Sequence, residues 1–581
     1  MKTQKYSALF VLATAFLLIG CTDQAKGGMM RARMIADAAD SFQITTNLEE
    51  TKEIHTTRQK EYLSYSGEYV SIPEANYPDG SKHISNPEPV NLAWNFSGSK
   101  EVTRYDVKVG KEANLSDGYV IKGTTNASLD IYNSYLGDNY FQIIANYADG
   151  SKDESAIQKY KVDDAYPRNL KIEGMTNCRD MGGGRTLEDG GRIKQGLLYR
   201  TSSTNRWAYG NGDGPDTITT AGKEVLLNQL GCKTEINVNN SDDHLADIPN
   251  YVAARMYYDS GKHHLYRNAE PIKEVFHTLA DENNYPVFYH CRIGTDRTGL
   301  CAILISGLLG VSENEIYQDY LFSNFGNIQE KRYIGEKAGR DNILNYINDL
   351  KEFPGEKFQN KVYNYLLAIG VPASELDSTI DILTEGEKAQ GNDNSQEVVL
   401  AENFEVEDLE IKTETSQKHP KKYYKLGADQ TVVARFQPKY SGEAKLVAYI
   451  GCENYNSNNA FKINEAISAT LDYNEVEIAD EITSTTAGFG SGDGRTYYSA
   501  IMLGTVDISA GETVVEITGI ANNLNIGAIS IIPLERVTPE EPVQPSGNKG
   551  CGGSIIATTS IIALVATMGA SLLVFRKRKE D

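Results

Sequence analysis

The chain has 581 residues, and at roughly 150 residues per domain this length predicts three or four domains. Its 57 Lys and Arg side chains stand against 79 Asp and Glu side chains, so the net charge is −22. Such an acidic chain is a poor binder of nucleic acid, because phosphate backbones are bound by clustered Lys and Arg. Seven cysteines over this length exclude a disulfide scaffold, and 51 Gly with 17 Pro exclude a collagen-like chain.

Residues 1–21 have the outline of a secretory signal. A short basic start, Met1–Lys5, precedes the uncharged apolar run Ala8–Gly20. The stretch Leu18–Cys21 resembles the bacterial lipobox, in which the Cys becomes the lipidated first residue. We therefore predict a lipoprotein-type signal peptide over residues 1–21, with cleavage at another position as the alternative.

Residues 536–581 have the layout of a membrane anchor. Ile555–Phe575 is a run of 21 residues without a charge, long enough to cross about 30 Å of hydrocarbon. A basic tail follows, and basic residues stay on the cytoplasmic side of a membrane. The layout resembles the surface-anchor signals of Gram-positive bacteria. We predict a stalk over 536–553, a transmembrane helix over 554–575 and a cytoplasmic tail over 576–581.

Residues 76–164 show the alternation that is typical of short strands. Val90–Trp94 and Tyr105–Val109 alternate in hydrophobicity, and turn signals separate such runs. The pattern favours a β-sandwich, and the segment resembles a fibronectin type III module with Trp94 in its core. Residues 22–75 lack sustained periodicity and are predicted to form a tether with one helix.

Residues 397–535 are also rich in predicted strands, such as Ala444–Ile450 and Thr513–Ile517. This segment resembles the β-sandwiches of carbohydrate-binding modules, and the resemblance implies a cell-surface glycan as a partner.

Residues 165–386 differ from both flanks, because runs with helical spacing alternate with strand-like runs. Thr298–Leu309 has helical spacing, whereas Thr234–Val238 and Pro286–Tyr289 are typical of strands. This alternation predicts an α/β domain with a sheet between helices. The predicted fold is therefore multidomain: an α/β core flanked by an N-terminal and a C-terminal β-sandwich, followed by a C-terminal transmembrane helix.

The candidate chemistry lies where the predicted strand ends and a helix is expected to begin. Backbone N–H groups in such a loop, together with the helix dipole, form a cradle for an anion. Cys291 begins the loop, and the same donors are expected to lower the pKa of its thiol. Arg297 can reach back with a planar fork that fits two phosphate oxygens. Thiolate, cradle and Arg are what hydrolysis of a phosphomonoester through a phosphocysteine needs.

The His-Cys-x5-Arg-Thr-Gly string at residues 290–299 matches the signature of the protein tyrosine phosphatase superfamily. Four further stretches resemble bacterial tyrosine phosphatases with a dual-specificity-like core: Asn177–Gly183, Gly196–Arg200, Leu309–Val311 and Asp319–Asn324. The resemblance covers nearly all of residues 165–386. Thr295 stands where the family often has Lys, a position tied to acceptance of phosphoinositides in some members. Glu235–Val238 lacks the family's usual Asp-Leu-Arg run.

The resemblance implies roles for the residues of the loop. Cys291 is the nucleophile, His290 tunes the pKa of Cys291 through the backbone network, and Thr298 donates its hydroxyl to the Cys291 sulfur. Arg297 and the neighbouring N–H groups hold the phosphoryl oxygens, so the substrate-binding residues are Arg292, Ile293, Gly294, Thr295 and Asp296. Arg179 and Asp180 are expected to fix the loop from behind. The mechanism needs no metal and no other cofactor.

A general acid must protonate the leaving oxygen. Asp259 is our candidate, because it lies 32 residues before Cys291, a spacing that resembles the acid-loop distance in dual-specificity phosphatases. Asp296 is the alternative, although beside Arg297 it is expected to brace the loop or to assist a water. Cys178 is a candidate to trap Cys291 in a reversible disulfide, with an unrelated buried cysteine as the alternative.

These observations predict a bacterial cell-surface phosphatase, anchored in the membrane lipid with its catalytic domain outside the cell. Its substrate is phosphotyrosine or another phosphomonoester, carried by a protein or by a small molecule such as a phosphoinositide or a sugar phosphate. The alternative is a surface adhesin or glycan-binding protein with an inactive phosphatase-like domain. The presence of both Cys291 and Arg297 favours the enzyme.

Overall fold

The computed structural model describes residues 41–78, 84–205, 217–241, 244–257, 264–335, 337–338, 343–387, 396–414, 421–453, 459–487, 489–492 and 495–534. All of them belong to one compact unit, Met1–Val537. The predicted signal peptide, stalk, transmembrane helix and basic tail lie outside the described residues. Within those residues, no helix has both the length and the apolar character needed to cross a membrane.

The N-terminal domain consists of two antiparallel sheets that share one core. Its strands are β1 (Ser41–Ile44), β2 (Val90–Ser97), β3 (Val102–Gly110), β4 (Tyr119–Lys122), β5 (Ser128–Ile131), β6 (Gly137–Tyr147), β7 (Lys152–Glu154) and β8 (Gln158–Val162). One sheet has the order β1-β2-β5, and the other has the order β4-β3-β6-β7, with β8 also paired to β6. Trp94 from the first sheet and Phe141 from the second are buried in the same cluster, so the predicted core position of Trp94 is confirmed.

The segment predicted as a tether is folded from Ser41 onward. Strand β1 pairs with β2, with Ile44 opposite Trp94, so the first sandwich strand precedes residue 76. Helix α1 (Thr57–Leu63) follows, and Thr56 caps it by accepting a hydrogen bond from Gln59 N at 3.3 Å. Residues 57–78, which we call the brace, then run across the central domain. The aromatic residues of the brace do not recur at the regular spacing of a helix or a strand, which is why the sequence pattern did not reveal their burial.

The brace is bound to the central domain by apolar packing and hydrogen bonds. Tyr62, Tyr69 and Tyr77 are buried in the same cluster as the core of the central domain. The Tyr62 hydroxyl donates to Gln318 O at 2.7 Å, and Tyr69 N donates to Asn314 Oδ1 at 2.6 Å. The brace is therefore part of the folded central domain.

The central domain is an α/β fold, as predicted. Its strands are β9 (Arg179–Asp180), β10 (Arg192–Ile193), β11 (Leu198–Thr201), β12 (Thr234–Asn237), β13 (Asn250–Ala253), β14 (Val287–His290) and β15 (Thr384–Glu385). Its helices are α2 (Thr220–Glu224), α3 (His264–Arg267), α4 (Ala269–Leu279), α5 (Arg297–Leu308), α6 (Glu313–Phe322), α7 (Ile343–Lys351), α8 (Phe358–Ala368) and α9 (Ala373–Leu383).

The main sheet of this domain has the order β13-β12-β14-β11-β9. Strands β11, β12, β13 and β14 are parallel, and β9 runs antiparallel to β11. Because β14 lies between two parallel neighbours, its carboxyl end opens at the edge where ligands bind in such sheets. Helix α5 starts from that edge and is buried along its whole length.

The C-terminal domain is a second pair of antiparallel sheets. Its elements are β16 (Glu397–Leu400), β17 (Glu405–Val406), β18 (Lys412–Glu414), β19 (Lys421–Leu426), β20 (Thr431–Phe436), β21 (Gly442–Gly451), α10 (Ile463–Ala466), β22 (Ile467–Leu471), β23 (Asn474–Glu475), β24 (Gly490–Gly492), β25 (Arg495–Ile508), β26 (Thr513–Gly519) and β27 (Leu524–Pro533). One sheet contains β18-β19-β27-β21-β25-β24, with β16 on β27, and the other contains β17-β20-β26-β22-β23.

This second sandwich packs directly on the central domain. Tyr449 and Tyr498 lie in the same buried cluster as the core of the central domain. The Tyr449 hydroxyl donates to Glu270 Oε1 on α4 at 2.6 Å. The contact is therefore a packed interface.

Candidate active site

The predicted strand, loop and helix are present. Strand β14 ends at His290 and helix α5 begins at Arg297, so residues 291–296 form the connection, which we call the phosphate loop. The N–H groups in the first turn of α5 have no carbonyl partner within the helix, and the positive end of the helix dipole points toward this loop. The geometry suits an anion.

Gly294 gives the phosphate loop its shape. Its φ of +74° lies in the left-handed region, and a Cβ there would come within 2.6 Å of Thr201 O. Its carbonyl oxygen accepts hydrogen bonds from Asn177 Nδ2 at 2.9 Å and from Arg200 Nη2 at 2.9 Å. Since C=O and N–H point in opposite directions across a trans peptide, these bonds turn the following N–H of Thr295 away from Asn177 and Arg200.

A buried charge cluster supports those contacts from behind. Arg179 Nε donates to Asp319 Oδ1 at 2.7 Å, and Arg200 makes an ion pair with the other carboxylate oxygen. Arg179 also donates to the Asn177 side chain, and Tyr166 donates to Asp319 at 2.7 Å. Although burial opposes ionisation, Arg179 and Arg200 hold the pKa of Asp319 well below its ordinary value. Arg179 therefore lies behind the loop and contacts Asn177, whose side chain donates to the Gly294 carbonyl.

Asp180 has a different place from the one we predicted. Its carboxylate pairs with Arg168 at 2.8 Å and accepts hydrogen bonds from Gly182 N at 2.8 Å and Gly196 N at 2.7 Å. Arg168 in turn donates to the carbonyl of Ser134 in the N-terminal domain at 3.0 Å. These contacts place Asp180 at the junction with the N-terminal sandwich instead of behind the phosphate loop, because successive strand residues point in opposite directions.

The thiol of Cys291 is the buried nucleophile candidate, with 1% of its surface exposed. Burial opposes its ionisation, but the charge of Arg297 and the polar groups of Thr298 together lower the pKa of Cys291 below its ordinary value. The structure thus brings Cys291, Arg297 and Thr298 together at the start of α5.

His290 is held by a partner that sequence reasoning did not assign. His290 Nε2 lies 2.8 Å from Glu235 Oε1, and His290 Nδ1 lies 3.2 Å from the carbonyl oxygen of Cys291. The other Glu235 oxygen accepts a hydrogen bond from Leu245 N at 2.7 Å. Glu235 belongs to the stretch that departs from the family pattern, and its position on β12, next to β14, explains the contact.

Asp296 and Thr295 share a second unpredicted partner, Arg332. Thr295 Oγ1 donates to Asp296 Oδ2 at 3.1 Å, and Arg332 Nη2 lies 3.3 Å from the same carboxylate oxygen. The other oxygen of Asp296 is buried and has no hydrogen-bond partner among the described residues. No sequence signal indicated Arg332, since it belongs to a loop beyond the matched stretches.

The predicted general acid, Asp259, lies outside the described residues, so its assignment stays a prediction. The chain just before it is fixed: Tyr257 N donates to Asn268 Oδ1 at 2.6 Å, and Asn268 Nδ2 donates to Tyr257 O at 3.0 Å. Asn268 thereby anchors the segment that leads to Asp259.

Cys178 is buried in a separate apolar cluster, and burial raises the pKa of its thiol to about 12. Its sulfur donates to Thr176 O at 3.2 Å. The structure contains no disulfide among the described cysteines, so the proposed pairing of Cys178 with Cys291 stays a prediction. Within the described ranges, no group of three or more His, Cys, Asp and Glu side chains is arranged to hold a metal ion.

Comparisons with known proteins add a family match for the central domain and structural likenesses. Similar solved structures include the GH26-CBM35 β-(1,4)-mannanase of Podospora anserina, which is 14% identical in sequence and has a TM-score of 0.19. That match covers 26% of this chain and 29% of the mannanase chain. A family 35 carbohydrate-binding module from Clostridium thermocellum has 13% identity and a TM-score of 0.18, and the match covers 24% of this chain and 98% of the module. The chain thus spans less than a third of the mannanase. No curated protein matches the chain. Residues 170–385 match the model of the tyrosine phosphatase family.

Proposed function

We propose that the central domain is a Cys-dependent phosphatase that hydrolyses phosphotyrosine or a related phosphomonoester through a phosphocysteine. The observation that carries this proposal is the phosphate loop, where a buried thiol of lowered pKa stands before a helix N-terminus beside Arg297. The family match over residues 170–385 supports the same reaction class.

In the proposed reaction, the Cys291 thiolate attacks phosphorus and the bond to the leaving oxygen breaks. Arg297 and the N–H groups of the loop stabilise the charge on the three remaining oxygens. Asp259 gives a proton to the leaving oxygen, with Asp296 as the alternative donor. Water then attacks the phosphocysteine, releasing phosphate and restoring the thiolate, and Thr298 stabilises the sulfur as it leaves.

We also propose that the enzyme works at a bacterial cell surface. The support is the sequence of its two ends, a lipobox-like signal and an apolar run followed by basic residues. Release of the activity from intact cells by an added protease is the expected result. Activity that is protected until the cells are lysed would contradict this location.

Hydrolysis of an aryl phosphate tests the reaction. Cys291→Ser should lower turnover by several orders of magnitude, because an alcohol is scarcely ionised at neutral pH. Cys232→Ser is the matched control, since Cys232 is also buried but lies in another cluster, and it should keep its activity. Vanadate should inhibit and a chelator should not. Equal activity in Cys291→Ser and the unsubstituted protein would refute the mechanism, and no activity in the unsubstituted protein would favour a binding protein.

A further inference from the structure

A loop from a distant part of the chain carries a buried arginine to the phosphate loop. Arg332 Nη2 lies 3.3 Å from Asp296 Oδ2 and 3.4 Å from Thr295 Oγ1, and its side chain is only 10% exposed. Asn324 fixes the backbone of Arg332: its Oδ1 accepts from Arg332 N at 2.8 Å, and its Nδ2 donates to Arg332 O at 3.1 Å. The guanidinium is therefore placed by its own loop.

The brace holds this loop from the outer side. Glu74 accepts hydrogen bonds from the Tyr333 hydroxyl at 3.1 Å and from Lys337 Nζ at 2.8 Å. The Glu74 carbonyl accepts from Lys331 Nζ at 3.0 Å, and the same ammonium lies 4.5 Å from the centre of the Tyr77 ring. The contacts therefore involve Lys331 and Tyr333, the residues directly before and after Arg332 in the chain.

The charge of Asp296 works against the ligand that the phosphate loop is proposed to bind. A carboxylate inside the loop repels a phosphate dianion, and the cost is large where water is excluded. Burial and the charge of Asp296 both act to raise the pKa of Cys291, against the effect of Arg297. The Arg332 guanidinium, 3.3 Å from the Asp296 carboxylate, offsets this repulsion.

We propose that Arg332 is a positioning residue of the phosphate loop: its guanidinium neutralises Asp296 and holds Thr295, so that the loop accepts a phosphate dianion. The inference rests on the proposed phosphatase function. It extends the site by a residue outside the loop and gives the brace a role in keeping that residue in place.

The test compares Arg332→Met in two backgrounds, with the vanadate inhibition constant as the readout. In the otherwise unsubstituted protein, we expect the constant and the KM for an aryl phosphate to rise about 10- to 100-fold, with a smaller change in kcat. In the Asp296→Asn background, which has the same shape but no carboxylate charge, the substitution should change the constant by less than about threefold.

Arg192→Met is the matched control, because it removes another arginine of the central domain, which pairs with Asp164 at 2.6 Å instead of the phosphate loop. It should leave the inhibition constant unchanged. An equal loss in both backgrounds, or an equal loss in Arg192→Met, would mean that Arg332 only supports the fold and would overturn the inference.

Arg332→Lys gives a second measurement that does not depend on the folding of Arg332→Met. It keeps the charge and should retain vanadate binding to within about tenfold, since only the bidentate geometry is lost. A larger loss would contradict a role through charge. If the unsubstituted protein neither hydrolyses an aryl phosphate nor responds to vanadate, the proposed function fails, and this inference fails with it.

Discussion

Asp319→Asn should destabilise the central domain far more than the loss of a surface ion pair. The Asp319 carboxylate pairs with Arg179 and Arg200, and all three side chains are at most 4% exposed. An exposed ion pair contributes about 0 to 1 kcal/mol, whereas leaving buried charges without their partner costs about 3 to 5 kcal/mol. Because Asn leaves two guanidinium groups uncompensated, we expect the free energy of unfolding to fall by about 3 to 5 kcal/mol at pH 7.

Urea denaturation followed by far-UV circular dichroism measures this change, and Asp138→Asn provides the control. Asp138 pairs with Lys159 at 3.2 Å with both side chains about half exposed, so no measurable change is expected. The folded-state pKa of Asp319 lies below its unfolded-state value of about 3.9, so its contribution is present above that pH and is lost as the pH falls through the folded-state pKa. The difference between the two proteins should therefore shrink in acid. A loss below about 1 kcal/mol at pH 7 would refute the assignment of Asp319 as the anchor of both arginines.

Three further outcomes are expected. Gly294→Ala should lower kcat/KM on the order of 10²-fold, because its Cβ would lie 2.6 Å from Thr201 O and would displace the N–H donors, and normal activity with an unchanged melting temperature would contradict this. At pH 7, iodoacetamide should alkylate Cys291 faster than Cys178, since the pKa of the Cys291 thiol is lowered, whereas the thiol of Cys178, with a pKa of about 12, should stay unmodified in peptide mapping unless the protein unfolds. Asp259→Asn should cost on the order of 10²-fold or more with an alkyl or tyrosyl phosphate and much less with an activated aryl phosphate, and equal losses with both substrates would count against a general acid.

The part of the site that the sequence predicts is the part that is contiguous in the chain. A strand, a loop with Cys291 and Arg297, and a helix follow one another within residues 287–308, and each has a local signal in periodicity or motif. The α/β character of the central domain and the strand-rich flanks were predictable for the same reason. Periodicity reports on an element's own two faces and not on its neighbours.

The residues that periodicity did not reveal are those that reach the loop from remote segments. Glu235 reaches His290 from β12, the neighbouring parallel strand. Asp319 reaches Arg179 from helix α6. Arg332 reaches Asp296 from the loop that follows α6. Asp319 lies in a stretch that resembles the family, but nothing in the local sequence tells which partner such a side chain reaches. The tertiary fold alone makes these pairs.

These remote contacts also show that the flanking segments and the central domain form one folded unit. Catalysis by charge stabilisation needs donors that are already in place when the transition state forms, so each loop contact must be rigid. Asn177 and Arg200 hold Gly294 from behind, and the brace holds the loop that carries Arg332. Asp180, one residue after Arg179 on β9, ties the same strand to the N-terminal sandwich through Arg168. A change at the sandwich junction therefore acts on the strand that positions the phosphate loop, which makes the flanking domain part of the scaffold for the proposed chemistry.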